Sequence, residues 1–594
     1  MSGSSLRHTG SEATRLLCAG SYLSPDFRRQ VVDELVGHEE RIVAPSLGVD
    51  VLSVLGHALR ARRQEVMAAV ALLAVWVGFF MAGGGALPFH LGLSKSLAAV
   101  SAHLWACWYA LVCLGMLLAR YVSGLSLTSY MGAPLLAGFR KLRTTRRIWG
   151  ITLTLLFWAL NLGYWIAVLP RWSSSPAGVI FPLLIAFVVW VHRARVTLTL
   201  RADLSVEAFR RRQPGSPGLR LPDSARYRRL QQLIAHEQYA QGTVYNPRLP
   251  FVGAGTPREP WSLALELQRK NDEGAGRTDE GTIPAQGAVG DAALTPRNII
   301  DLIRPRLESL RESAASGSTG RDRLKELEIE EFVYLPPGAA RGDAAVLGHE
   351  QIQRHIAWSV NEAGEARRHY LRVRIGAWDE QVVVTIFVRV HTQGRMLVLE
   401  VAPHVLGPIK EEFAEVDAVT ARSGRVRDLP RTTLRALLLG PSTSVAARDW
   451  PSDAVRAFFA APSVSAATGI SALRTVLMVF RTWLSEPEHA ALGAPVKSVR
   501  EMGSTPVSSL FQEMDVSRYI KTVQDRIASG VRDALEQSGY RTDRFEQQIV
   551  NVGDGGLFIR HMSGGTALGQ VTGGAVATGE RGRAQHTSDR TGTR

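Results

Sequence analysis

Side chains that could carry out chemistry are scattered along the chain and do not recur at the spacing of a metal site. His-Glu pairs stand at residues 38–39, 236–237 and 349–350, and none has a second histidine four residues after the first. A zinc hydrolase of the H-E-x-x-H type places two histidines and a glutamate on one helical face at that spacing. We therefore interpret the three pairs as solvated polar residues and expect no metal-binding residue.

Glycine-rich runs occupy residues 553–556, 563–569 and 572–579. None is followed by the Lys-Ser/Thr pair with which a phosphate-binding loop holds a nucleotide, so these runs predict no cofactor site. The three cysteines show no C-x-x-C spacing, which argues against a disulfide framework and against a zinc site. No catalytic residue is expected, and the scarcity of motifs favours a protein that is not an enzyme.

The elements that position these residues begin with an apolar block. No Asp or Glu occurs between Glu65 and Asp203. A bilayer selects such a block, because an ionised side chain within it is costly. The block contains four apolar segments, which predict four transmembrane helices at about 66–86, 97–119, 148–169 and 177–191.

Basic residues in the connections predict the orientation of these spans. The first and third connections contain only Lys95 and Arg171, whereas the middle one contains five basic residues between Arg140 and Arg147. Because basic loops stay in the cytoplasm, both termini are expected to be cytoplasmic and the chain to lie in the cell membrane. The net charge of +15 includes ten arginines in residues 193–229. Anionic lipid of the inner leaflet is the expected partner of these arginines; the alternative, which the sequence favours, is that they are a solvated topology signal. The same segment contains only two aromatic residues, Phe209 and Tyr227, and lacks the regular aromatic interleaving of a single-strand binding surface, so nucleic acid is not an expected partner.

The remaining sequence predicts a cytosolic α+β domain. Runs rich in Val, Ile and Phe at 370–377, 381–390 and 396–402 are separated by short connections, which predicts an antiparallel β meander. An amphipathic helix is expected at 515–539, with Asp515 as its cap. The apolar run 461–480 is interpreted as a core helix, with a fifth span or re-entrant segment as the alternative.

These features divide the chain into six parts. They are a cytosolic helical arm (1–65), a four-helix transmembrane region (66–192), a basic juxtamembrane segment with a Pro/Gly loop (193–270), a flexible linker (271–290), the cytosolic α+β domain (291–550) and a Gly-rich tail expected to be disordered (551–594).

Small residues recur every four positions in the first two predicted spans. The first stripe contains Gly78 between two alanines, and the second contains Ala102, Ala106 and Ala110. Such spacing lets helix backbones approach closely, so the stripes are predicted to face each other or a second copy of the chain. The other interpretation is ordinary membrane-helix composition, since alanine is common there.

Several stretches together resemble a family of multi-span integral membrane proteins of unknown function from actinobacteria, of the Streptomyces type. They are TRLLCAGSYLSPDF (14–27), PSLGVDVLSVLGHALRAR (45–62), PFVGAGTPREPWSLALEL (250–267), HYLRVRIGAWDEQVVVTIFVRV (369–390), SVREMG with FQEMDVSRYIKTVQDRI (498–527) and TGGAVATG (572–579). The resemblance implies a membrane location and a cytosolic α+β domain. It implies no activity, cofactor or site residue.

The leading functional hypothesis is an integral membrane protein whose cytosolic domain serves binding, scaffolding or signalling. The alternative is an oligomerising membrane effector of a conflict or stress system that perturbs the bilayer. A third hypothesis is an enzyme with a site near the β strands, where His391 and Trp378 stand at turns. If a site exists, its expected place is the 250–261 loop beside the 370–402 strands, because an aromatic residue and several glycines lie there on a rigid scaffold.

Overall fold

The computed structural model describes most of the chain in segments. The described residues are 11–46, 48–82, 97–122, 144–173, 176–211, 221–270, 294–315, 327–338, 348–361, 366–377, 381–393, 395–421, 493–507, 509–543, 545–546, 560–562 and 565–567. A helical N-terminal region is followed by an α+β domain built on a mixed sheet.

The N-terminal region consists of helices and short helical turns. The helices are α1 (Glu12–Leu23), α2 (Pro25–Val32), α3 (Val51–Met81), α4 (Leu97–Val122), α5 (Thr144–Val168), α6 (Ala177–Leu204), α7 (Val206–Arg211) and α8 (Ala225–Glu237). A π-helical turn (Asp33–Gly37) extends α2, and a 3-10 turn (Leu169–Arg171) extends α5.

Helix α2 begins where the sequence predicts. Ser24 is the N-cap and Pro25 the first helical residue, where the missing N–H of proline costs nothing. Phe27, Val31 and Leu35 form its buried face. Helix α1 was not predicted, because its polar residues do not mark a solvent-facing side: every residue from Ala13 to Leu23 is buried, including Thr14 and Arg15. Without a solvent-facing side it has no apolar stripe of helical period.

Two of the four predicted spans, α3 and α6, are long and apolar enough to cross a bilayer by length and composition. Helix α3 continues without a break from its N-cap Asp50 into the apolar segment. The second and third predicted spans lie in α4 and α5, where the described apolar stretches are the shorter His103–Gly115 and Leu155–Arg171.

Aromatic side chains form the core of these four helices. Tyr164 of α5 packs against Trp105 and Tyr109 of α4, with ring centroids 5.8 and 5.4 Å away, and its hydroxyl donates a hydrogen bond to the carbonyl of Gly178 on α6. Gly78 of α3 lies against Phe181 of α6, and not against α4. The first small-residue stripe therefore packs on α6 through Gly78, whereas the prediction placed it against the second stripe or a second copy of the chain.

The α+β domain is built on seven strands, with further helices around them. The strands are β1 (Gly242–Val244), β2 (Thr256–Pro257), β3 (Trp261–Glu266), β4 (Leu327–Leu335), β5 (Arg368–Ala377), β6 (Val382–Gln393) and β7 (Met396–Leu406). The helices are α9 (Pro296–Ala315), α10 (His349–Asn361), α11 (Glu411–Ala421), α12 (Val499–Met502) and α13 (Leu510–Gln537).

The sheet is mixed. Its order is β1-β4-β5-β6-β7-β2, and β3 also pairs with β7. The three predicted strands form neighbours β5, β6 and β7 with antiparallel pairing, but β1 joins β4 in parallel. The sheet is thus larger than the predicted three-stranded meander. The predicted alternation places Leu371, Val373 and Ile375 in the core, each at most 1% exposed.

Helices α9 and α13 cover one face of the sheet. Their apolar sides join Val373, Ile386 and other strand residues in one hydrophobic core. Helix α13 begins at Leu510 after the N-cap Ser509, five residues before the predicted cap Asp515, and it ends before Gly539, whose φ is +74°. The amphipathic stripe predicted its burial correctly, because apolar residues recur at i, i+3 and i+4.

A second core joins the arm to the α+β domain. It combines α1 and α2 with the N-terminal part of α3 and the C-terminal part of α6, and it includes Phe413 of α11 and Met502 of α12. Gly20 of α1 lies directly against the Phe413 ring. Because only four residues separate β7 from α11, the central strands connect closely to the helices that continue into the apolar region.

Several predictions concern residues that the structure does not describe. The linker 271–290, the apolar run 461–480 and Trp378 lie outside the described residues. The described part of the tail expected to be disordered is a two-stranded antiparallel element, β8 (Arg560–Met562) paired with β9 (Gly565–Ala567).

Candidate functional site

The described surface of α3 to α6 exposes large apolar side chains in continuous stripes. On α3, Met67, Val70, Leu73 and Val77 are each more than half exposed. They follow the i, i+3, i+4 spacing that places residues on one helical face. Similar stripes lie on the other three helices: Leu104, Leu111, Leu114 and Leu118; Leu155, Leu156, Leu162 and Ile166; and Ile180, Leu183, Leu184 and Phe187. Helices in a soluble protein bury such faces.

Charged groups flank the apolar segments of α3 and α6, on the N-terminal side in α3 and on the C-terminal side in α6. Glu65, the last acid before the apolar block, is buried and accepts a hydrogen bond from the buried Arg28 of α2. Asp203, the first acid after the block, pairs with Arg60 at 2.8 Å. Both carboxylates that flank the block are therefore neutralised within the chain.

The loop before β3 is fixed to α12 by one carboxylate. Gly253 and Gly255 have φ values of +96° and +89°, and their N–H groups donate to Glu501 Oε1 at 2.8 and 3.0 Å. Glu501 Oε2 accepts from the N–H of Ser498 at 3.3 Å, which completes a capping box. A Cβ at Gly253 would lie 2.7 Å from the Pro45 carbonyl, so only glycine fits there.

This loop covers the second face of the sheet with an aromatic cluster. Phe251 stacks on Phe387 with a centroid distance of 4.5 Å, and it meets the rings of Tyr334 and Tyr370 edge to face at 5.4 and 5.5 Å. His404 lies 4.9 Å from the same ring. Burial lowers the pKa of His404, which favours its neutral form at pH 7. At the place where a site was expected, the 250–261 loop therefore packs directly against the strands.

Ion pairs between neighbouring strands lie next to the aromatic cluster on this face. Their members are Arg374 with Glu328 at 3.0 Å, Arg372 with Glu330 at 2.6 Å and Arg389 with Glu400 at 3.5 Å. Thr385, directly across from Arg374, is fully buried, and its hydroxyl has no hydrogen-bond partner among the described residues. These pairs hold strands in register and satisfy each other's charge.

The opposite face of β4 holds a hub of charges around Glu331. Arg297 and Arg304 of α9 and His369 of β5 all contact its carboxylate, at 2.9, 2.6 and 3.1 Å. Burial alone would raise the pKa of Glu331, but hydrogen bonds from His369 and Arg297 outweigh it and lower that pKa to about 2. The hub fixes α9 on the sheet.

The structure does not bring the predicted chemical residues together. His38 contacts Glu40, Glu237 accepts a hydrogen bond from the N–H of Val43, and Glu350 contacts Arg354. No group of three metal-ligating side chains occurs in the described segments. His391 lies within β6, where burial lowers its pKa.

Sequence reasoning missed the residues that make the most contacts. Glu501 could have been found, because Ser498 and Glu501 have the S-x-x-E spacing of a capping box. Arg374 and the long-range bond of Arg15 to Asp417 carry no such signal, since these partners lie far away in the sequence, whereas the second partner of Arg15, Glu12, is only three residues away.

One comparison identifies a family. A family model, described as the AbeC-like domain, matches residues 260–569, more than half of the chain. The chain belongs to the AbeC-like domain family. The match begins just before β3 and includes β3 to β7, but it leaves out helices α1 to α8 and the Gly253–Gly255 turn. No curated protein and no solved structure matches the chain. The actinobacterial origin and the multi-span character implied by the resemblance remain predictions.

Proposed function

We propose that this chain is an integral membrane protein of the cell membrane. In this proposal α3 to α6 are four transmembrane helices, and they anchor the AbeC-like domain at the cytosolic side as a binding or scaffold module. The observation that carries the proposal is the concentration of exposed apolar side chains on these four helices.

The energetics favour a bilayer around these helices. A large apolar side chain gains about 1.5–3 kcal/mol when it leaves water, and contiguous apolar patches beyond a few hundred Å² are rare on soluble monomers. In the described residues outside 51–204, only six large apolar side chains are exposed: Leu249, Trp358, Met396, Leu510, Phe511 and Met514. The stripes on α3 to α6 thus require an apolar solvent, and lipid supplies it.

The distribution of basic residues supports the cytosolic placement of both termini. The connection between the second and third proposed spans is strongly basic, and α3 enters the apolar region directly after Arg62 and Arg63. An even number of spans then places the arm and the AbeC-like domain on one side. Their shared core requires the same placement.

The internal pairing of charges supports binding or scaffolding by the domain. Three arginines on the second sheet face contact glutamates of adjacent strands, and the Glu331 hub joins the sheet to α9. These groups stabilise a rigid platform. Reproducible turnover of a small molecule by the purified full chain would overturn this part of the proposal.

Alkaline extraction of cell membranes tests the membrane part. The wild-type chain is expected to stay in the pellet at high pH. Val77→Arg places a charge in the α3 stripe, which costs about 2.5–3.5 kcal/mol at a span centre and should release a large fraction of the chain. Leu510→Arg, at an exposed apolar residue of α13, is the matched control and should remain in the pellet. Release of the wild-type chain would overturn the proposal.

Native mass determination of the full chain from crosslinked membranes separates the scaffold from the effector alternative. A defined heterologous partner at fixed stoichiometry supports the scaffold function. A homo-oligomer without partners, combined with toxicity on overexpression, supports the bilayer-perturbing effector. Ala74, exposed on the α3 surface, is the position for an oligomer test, because Gly78 packs on Phe181 of the same chain.

A further inference from the structure

We propose that the outer face of the α3–α6 pair binds an anionic phospholipid of the cytosolic leaflet, with its phosphate between Arg63 and Arg195. The inference rests on the proposed membrane location and specifies the lipid that this surface prefers. It is carried by three features: the alignment of the two helices, the arginines at the ends of their apolar stripes, and the pairing of every nearby carboxylate.

Contacts between α3 and α6 fix their relative height. Gln64 Nε2 donates to Thr199 Oγ1 at 3.4 Å, and one turn earlier Arg60 contacts Asp203. Deeper in the apolar region, Gly78 lies against Phe181. The helices are therefore antiparallel neighbours, and Arg195 is level with about residue 68 of α3. At 1.5 Å per residue, Arg63 and Arg195 differ in height by roughly 7–8 Å, which two long side chains can span.

Both arginines point to the same side of the pair. Arg63 lies about 100° from the contact residue Gln64 around α3, and Arg195 lies about 40° from the contact residue Thr199 around α6. Because the helices run in opposite directions, these two rotations turn toward one common face. Arg63 is exposed and Arg195 is half-buried.

Each arginine stands at the cytosolic end of an apolar stripe. Arg63 is in line with Met67, Val70 and Val77, which are exposed on α3. Arg195 flanks the α6 stripe that includes Phe187. The resulting surface has a cationic end and a long apolar face, which is the shape and polarity of one phospholipid.

No acid competes for these two guanidinium groups. Glu65 is held by Arg28 and Asp203 by Arg60. In the described part of the chain, neither Arg63 nor Arg195 has a carboxylate within salt-bridge distance. A lipid phosphate supplies the negative charge that this surface lacks, and arginine binds phosphate through paired N–H donors.

Native mass spectrometry of the full chain tests the inference, using nanodiscs that contain equal amounts of phosphatidylglycerol and phosphatidylcholine. The wild-type chain should retain phosphatidylglycerol preferentially. Arg63→Gln/Arg195→Gln removes two surface charges and should lower that preference by roughly 30-fold. Arg311→Gln/Arg526→Gln, on the helices that cover the sheet, is the matched control and should keep the wild-type preference.

Three results would overturn the inference: an equal retention of both lipids by the wild type, an unchanged preference in the Arg63→Gln/Arg195→Gln variant, or an equal loss in the control. Displacement of the bound lipid by soluble glycerol phosphate would show that the site takes free phosphate, which also contradicts it. Alkaline extraction of the same variants separates the two proposals. If the wild type and both variants stay in the membrane but the lipid preference is absent, the lipid site is wrong and the membrane anchor is retained. If the wild type is released, both proposals are wrong.

Discussion

Arg15 and Asp417 stand 402 positions apart in the sequence, yet the guanidinium group of one binds the carboxylate of the other through two hydrogen bonds, of 2.9 and 3.1 Å. Arg15 is 1% exposed and also donates to the carbonyl of Leu204, the last residue of α6. One side chain of α1 therefore joins the cytosolic end of a proposed span to α11, the helix that follows β7.

Arg15→Ala should destabilise this junction strongly. The substitution leaves Asp417 and the Leu204 carbonyl without their shared donor, and removal of one member of a buried pair costs about 3–5 kcal/mol. We expect about 2–4 kcal/mol here, because Asp417 is half exposed. Thermal unfolding of the detergent-solubilised full chain should show a clearly lower midpoint.

The control for Arg15 is Arg211→Ala. Arg211 pairs with Glu207 at 3.2 Å on the surface of α7, and both side chains are exposed. Its loss should change stability by less than about 0.5 kcal/mol. Equal midpoints for the Arg15 and Arg211 variants would contradict the central role of Arg15.

Gly253→Ala should damage the loop that covers the aromatic cluster. The φ of +96° disfavours any side chain, and the new Cβ would meet the Pro45 carbonyl at 2.7 Å. Gly539→Ala is the matched control, because Gly539 also has a positive φ of +74° but open space around its Cβ position. Both variants carry the cost of a left-handed backbone conformation with a side chain, about 1–2 kcal/mol. Only Gly253→Ala should show an additional loss of stability in chemical denaturation; similar losses would mean that the Pro45 contact is unimportant.

The stability of the AbeC-like domain should depend on pH through Glu331. Its folded-state pKa of about 2 lies below the ordinary 4.5, so the folded form binds a proton less tightly than the unfolded form. Its contribution is therefore complete above pH 4.5 and declines as the pH falls toward 2, with a total of up to about 3 kcal/mol.

Urea denaturation between pH 2 and pH 6 measures the Glu331 effect. The free energy of unfolding of Glu331→Gln should fall less steeply than that of the wild type as the pH is lowered. Glu536→Gln, at an exposed residue of α13, should show the same pH dependence as the wild type. An identical pH dependence of the free energy of unfolding in the wild type and in Glu331→Gln would show that the charges around Glu331 do not contribute to stability.

Gly78→Leu should loosen the contact between α3 and α6. A Cβ there would lie 3.1 Å from Phe181 Cε1, so a leucine must displace this ring, at a cost of about 1–3 kcal/mol. Ala74→Leu, one turn away on the exposed surface, should be tolerated. Thermal unfolding in detergent compares them. If Ala74→Leu instead lowers the oligomeric mass of the chain, that surface is a contact between copies and the effector alternative gains support.

The sequence predicted elements whose signals are local. Ser24 and Pro25 mark the start of α2, and the alternation of Leu371, Val373 and Ile375 identifies the core side of β5. Both depend on periodicity or capping within a few residues. Helix α1 was missed because it is buried on every side, Arg15 included, so its polar residues do not mark a solvent-facing side.

Long-range relationships could not be predicted in this way. The parallel addition of β1 to β4 and the bond from Glu501 to Gly253 join residues that no local pattern connects. For the candidate site, the place of the 250–261 loop was correctly predicted to be beside the strands. The ion pairs next to this loop were not predicted. From the sequence alone, each charged residue is expected to face solvent, because its partner on the neighbouring strand is not known.

Cysteine-accessibility mapping in intact cells tests the central claim most directly. Single cysteines replace Lys95 and Ser173 in the proposed external connections, and Ser11 and Glu536 in the proposed cytosolic parts, in a chain without its three native cysteines. The account predicts that a membrane-impermeant maleimide labels the first two sites in intact cells and the last two only after permeabilisation. Labelling of Glu536 in intact cells, or protection of both Lys95 and Ser173 positions until cells are permeabilised, would contradict a four-span anchor with a cytosolic AbeC-like domain.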